Sequence, residues 1–123
     1  MADDTFDELT RSMAAAFTVI VKLLAQLPIP IEVPPMSEGV PLESLAALER
    51  ARSVLVFDQP LPELHQDEIA MIITDWLTGY ELGALVSIAG PAPWRLAGME
   101  LAVRRIALLL EGLSEALDID FEM

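Results

Sequence analysis

The chain contains no cysteine, one histidine, one tyrosine, and only 7 basic residues against 20 acidic ones. The missing cysteine excludes disulfides, thiolate nucleophiles, iron–sulfur clusters and thiolate zinc sites together. A single histidine, His65, excludes the usual histidine-rich zinc centres as well. A net charge of −13 repels phosphate backbones and anionic headgroups, so neither nucleic acid nor a membrane surface is an expected partner. No Gly-x-Ser-x-Gly elbow, glycine-rich phosphate loop, paired-histidine motif or dinucleotide fingerprint is present, and no cofactor is expected. Long hydrophobic runs are lacking too. The stretch Met13 to Leu27 is broken by Thr18, Lys22 and Gln26 and falls short of the roughly 18–20 apolar residues that span a bilayer. Asp3, Asp4, Asp7 and Glu8 stand where a secretory signal would be basic, so a cytoplasmic protein is expected.

What is abundant is hydrocarbon: 54% of the 123 residues are hydrophobic. A chain this small has an unfavourable surface-to-volume ratio for hiding so much apolar surface alone. A single helical domain over residues 1–123, paired with a second copy as an intertwined homodimer, is the expected solution. The core is expected to come from the first, third and fourth helices of both subunits.

The first helix is expected to begin near Thr5, with Glu8 closing a capping box and Asp3, Asp4 and Asp7 at the positive end of its dipole. It runs to about Leu27, where Pro28 stops it. Its second half is apolar nearly all round, which assigns it to a subunit interface. Pro28, Pro30, Pro34 and Pro35 then alternate with Ile29, Ile31 and Val33, a pattern no helix crosses. This extended stretch reads as a packed connector, or as a strap that crosses to the other subunit or walls a groove.

A second helix is expected from about Pro41 to Phe57, with Leu42, Leu45, Ala46, Leu48 and Val54 on its apolar side. The third begins between Glu63 and Asp67 and ends at Gly90-Pro91. Its Gly79 and Gly83, on one face, allow close helix approach or line a cleft. The fourth opens at Pro93-Trp94 and reaches about Asp118. Leu96, Met99, Val103, Ile106, Leu110, Leu113 and Leu117 form its apolar stripe, with Glu100, Arg104, Glu111 and Glu115 opposite.

A few side chains could carry chemistry. Arg105 sits on a helical flank with Gly98, Leu101, Ala102, Leu108 and Gly112, where a guanidinium needs a partner. Asp75, flanked by Met71, Gly79 and Leu82, holds the matching position on the third helix, so the two are expected to meet as a structural or catalytic pair. His65 is the default acid or base, or a solvated residue at a helix start. Trp94 and Arg95, beside Gly90-Pro-Ala-Pro, are either an interface anchor or core. They form the candidate peptide-binding set together with Glu63 and Glu68, carboxylates that, with Asp67, also suit a helix N-terminus better than a metal.

The whole chain resembles the small acidic proteins that form the lysinoalanine bridge of duramycin- and cinnamycin-type lanthipeptides. The likeness lies in the size, the Asp3-Asp4-Thr5 opening, the apolar first helix, the Pro28–Pro35 crossing and the lack of a nucleophile or metal set. It implies a helical homodimer that folds a peptide so that a substrate lysine adds to a dehydroalanine, with the base supplied by a hydroxylated aspartate of the substrate. No family site motif aligns, so the candidate residues above rest on their own chemistry. The competing expectation is a non-catalytic acidic dimer that binds a peptide or protein as an adaptor, chaperone or inhibitor.

Overall fold

The computed structural model describes residues 2–35 and 41–119, with the side chains of 2–4 and 41 excepted. The fold is all-α, and no strand occurs among the described residues. Four helices follow one another as α1 (Ala2–Ala25), α2 (Pro41–Ser53), α3 (Glu63–Ala89) and α4 (Pro93–Leu117), with one 3-10 turn at Leu55–Asp58.

The longest pairing is the α3–α4 hairpin, and proline and glycine chemistry makes its turn. Gly90 takes φ 99°, a left-handed conformation that suits glycine alone, and its N–H donates to Val86 O at 2.9 Å. Pro91 then bars further helix, and Pro93 opens α4 in the first-turn position. The α4 stripe packs as its spacing predicts. Met99, Ile106, Leu110 and Leu113 are buried, while Leu96, Val103 and Leu117 are half-buried at its edges. Across the seam α3 buries Ile69, Ile72, Ile73, Trp76 and Val86. Glu100 and Arg104 pair on the exposed side at 2.5 Å, a contact worth a few tenths of a kcal/mol.

α1 lies across this hairpin through Leu9, Met13, Phe17, Ile20 and Leu24, spaced at three and four residues. Trp76 fixes the crossing: its indole N–H donates to Met13 O at 2.8 Å, and its ring lies between Phe17, 5.1 Å away, and Tyr80, stacked at 5.4 Å. The helix begins at Ala2, ahead of the expected Thr5 cap, and ends at Ala25 rather than Leu27. The side chains of Asp3 and Asp4 lie outside the described residues. The second half of α1 is not buried all round. Ile20, Leu23 and Leu24 are inside, whereas Ala14, Ala15, Thr18 and Ala25 are exposed.

The strap of residues 26–35 is held by its neighbours. Ile31 and Val33 are buried against the core, and Ile31 N–H donates to Leu24 O at 2.9 Å. Ile29 points out, but its backbone is clamped by the Gln59 amide, which accepts from Ile29 N at 2.9 Å and donates to Ile29 O at 2.7 Å. Gln59 is itself buried, and an amide making both bonds in the interior avoids the penalty of unpaired polar atoms. The buried Ser44 likewise donates to Pro34 O at 2.7 Å, tying α2 to the strap.

α2 corrects the apolar side expected of it. Leu42, Ala46 and Val54 are exposed and Leu45 is half-buried, while Ser44, Leu48 and Ala51 face inward. Leu48 is buried as expected and Leu45 packs at the edge of the core, but the rest of the inward face is made by a hydroxyl and a small residue, which counting leucines does not find. α3 is, by length and composition, apolar enough to cross a membrane, although here one of its sides packs in the core.

Candidate functional site

The sequence-predicted residues fall at three separate places along the hairpin. His65 stands in the first turn of α3, where its Nδ1 lies 2.9 Å from Glu68 Oε1, one turn on. Glu63, in the same turn, and Asp67 are exposed. Among the described residues, no three His, Cys, Asp or Glu side chains are placed to hold a metal ion. Trp94 and Arg95 occupy the opposite end, about 35 Å away by the rise of α3. Trp94 is 71% exposed, which removes the core reading. The Arg95 guanidinium lies 5.9 Å from the Trp94 ring centroid and donates to Gly90 O at 3.0 Å, bracing the hairpin turn. No single substrate of modest size could touch both ends.

Asp75 and Arg105 do meet, at the middle of the hairpin. Arg105 Nε lies 3.2 Å from Asp75 Oδ2. The distance suits an ion pair, and Oδ2 is shielded from solvent without a well-formed hydrogen bond. Burial pushes the Asp75 carboxyl above its ordinary range, and the adjacent Arg105 charge only partly opposes it. A shallow depression of about 420 Å³ beside the pair is walled by Asp67, Ala70, Met71 and Thr74.

Another concavity lies elsewhere and carried no motif in the sequence. A groove of about 560 Å³ runs between α1 and α3. α1 supplies Thr10, Met13, Ala14, Phe17, Thr18 and Val21, α3 supplies Trp76 and Tyr80, and Pro35 of the strap closes one side beside Lys22. The two threonine hydroxyls are engaged by their own helix, Thr10 with Phe6 O and Thr18 with Ala14 O, which leaves the lining effectively apolar. A second hollow of about 260 Å³ shares Thr10, Met13 and Tyr80 and extends the crevice toward Phe6 and Ser87.

Glycine shapes the crevice bed. A methyl at Gly79 would lie 2.9 Å from Met13 Cε, and one at Gly83 would lie 3.3 Å from Met99 Cε. The two glycines thus serve close packing inside the chain, letting methionines from α1 and α4 reach the surface of α3. From Phe6 to Lys22 the crevice follows α1 for about 24 Å, the length of about seven extended residues. Signals that could have revealed it were present but dispersed: Thr10, Ala14, Thr18 and Val21 recur at three and four residues beside the buried stripe of α1, and Trp76 and Tyr80 are one turn apart. Comparison with protein-family models, with curated proteins and with solved structures gives no match.

Proposed function

We propose that this chain is a peptide-binding protein that holds an extended, mainly apolar segment of about seven residues in the α1–α3 crevice, working in the cytoplasm as a homodimer. The observation that carries the reading is the crevice itself: long, apolar, floored by Trp76 and Tyr80, and walled by a proline strap that Gln59 and Ser44 anchor. Concave apolar surface with few polar groups is the usual form of a binding site. Lys22, at one end, offers donors to a peptide carbonyl or carboxylate. Outside the crevice, the −13 charge favours a partner that is neutral or cationic.

Lysinoalanine formation, the reaction implied by the resemblance, is a special use of the same hold. In that step a lysine Nζ bonds to Cβ of a dehydroalanine, Cα takes up a proton, and a base removes the proton from nitrogen. Among the described residues that line the crevice, only Lys22 and Tyr80 carry an ionisable group, and His65 and the Asp75–Arg105 pair lie outside it. A reaction there draws its base from the substrate, and the protein contributes proximity.

The test is selection from a displayed heptapeptide library, followed by calorimetry on the recovered peptides. Recovered sequences are expected to be apolar and without net negative charge, and binding is expected to be lost on Ala14→Phe, which fills the crevice from an exposed position and leaves helicity unchanged. Retained binding by A14F would overturn the crevice reading. Incubation with a peptide carrying lysine and dehydroalanine, followed by thiol trapping, separates the two uses. Loss of the trappable alkene only with protein marks the enzyme, and unchanged trapping marks a binding module.

A further inference from the structure

We propose that the outer face of the α3–α4 hairpin, on the side of α3 away from the crevice, is the contact between two copies of this chain, with each Arg105 gripping the Asp75 of the other copy. α4 carries two seams at steps of three and four. One is the buried stripe, and the other runs Leu101, Arg105, Leu108, Gly112 along the outside, ending at Gly98, where Leu82 of α3 packs close. Such a repeat is the pattern by which helices pair. Leu101 is 57% and Leu108 69% exposed, and Met71 of α3, which shares the depression beside Arg105, is 42% exposed. Single exposed leucines need no explanation, but two of them a heptad apart on one helix, with an exposed arginine between, do.

The occupant is identified by charge. Asp75 and Arg105 sit near the midpoints of α3 and α4, so a two-fold axis through the pair superposes the face on itself with each acid opposite the other copy's base. The contact inside the chain runs from Arg105 Nε to Asp75 Oδ2, and the Arg105 side chain stays 46% exposed against 16% for Asp75. The exposed part of the guanidinium is thereby left to hold a second carboxylate, and the exposed part of the Asp75 carboxyl to receive the other copy's Arg105. The depression beside the pair is a ready hole for a partner side chain. Two helices about 37 Å long and about 20 Å across offer about 700 Å² per copy, close to the ~800 Å² per partner of a stable interface. Pairing is thus placed on this face rather than on the second half of α1.

Sedimentation across a wide concentration range tests it. The wild type is expected at twice its 13.4 kDa mass. Leu101→Glu with Leu108→Glu is expected at the monomer mass with its helical signal intact. Asp75→Arg and Arg105→Asp, each alone, are expected to weaken pairing at least tenfold, and mixing the two in equal amounts is expected to restore it as a heterodimer, since both cross-pairs reform. A wild type that stays monomeric at every concentration overturns the proposal. So does a dimer that survives L101E/L108E, or single variants whose mixture fails to pair.

Discussion

Asp75 carries its charge in surroundings that favour the neutral acid. Its carboxyl is raised by burial despite Arg105 beside it, so the folded chain holds this proton more tightly than the unfolded chain. Asp75 therefore adds stability below the ordinary aspartate range and withdraws it as pH rises through the raised value. In a monomeric L101E/L108E background, Asp75→Asn is expected to unfold at the same or a higher urea concentration than its parent at neutral pH. Its stability gain on acidification should be smaller than the parent's. Urea midpoints against pH check this, and a variant that loses more stability at neutral pH than in acid would contradict the assignment. The pairing was legible in the sequence because both residues sit on flanks of small and apolar neighbours, where a charge demands a partner. Gln59 was not legible, since an amide in a proline turn has no pattern to betray two buried hydrogen bonds. Gln59→Ala is expected to cost about 1–3 kcal/mol in chemical denaturation, because Ile29 N–H and C=O both lose their partner.

At the scale of elements, α4 was the most readable part of the chain and α2 the least. The unbroken row from Leu96 to Leu117 marks the inward face, and the structure buries its centre at Met99, Ile106, Leu110 and Leu113. α2 has leucines on two sides, and the serine that decides its orientation is visible only once the strap is in place. The close approach at Gly79 and Gly83 was readable as a spacing, although the methionines that enter it were not. Gly79→Val is expected to displace the Met13 thioether and destabilise the chain by about 1–3 kcal/mol, the usual penalty of overpacking. Met13→Ala in the same chain should recover part of that loss by removing the collision, giving a non-additive pair in thermal unfolding. Full additivity would mean that the two residues do not share the space.

The whole molecule separates two surfaces by placing them on opposite sides of α3: an apolar crevice toward α1 and a heptad-spaced, centrally charged face along the outside of the hairpin. An all-helical fold was readable because proline and glycine punctuate four periodic segments. The crevice was not, because a groove is made by the angle between helices and by a strap whose anchors are single polar residues. The resemblance carried an expectation of peptide binding without locating it, and His65, Trp94 and Arg95 turn out to be too far apart for one site. The two tryptophans provide a direct measurement. Trp76 is buried in the crevice bed with its indole N–H bonded to Met13, and Trp94 is exposed at the hairpin tip. In a nitrogen-15 spectrum titrated with a selected heptapeptide, the Trp76 indole and the Thr10, Ala14, Val21 and Tyr80 amides are expected to shift saturably. The Trp94 indole and the Leu101 and Leu108 amides should stay in place. Shifts gathered on Trp94 or on the outer leucines, with Trp76 unmoved, would contradict it.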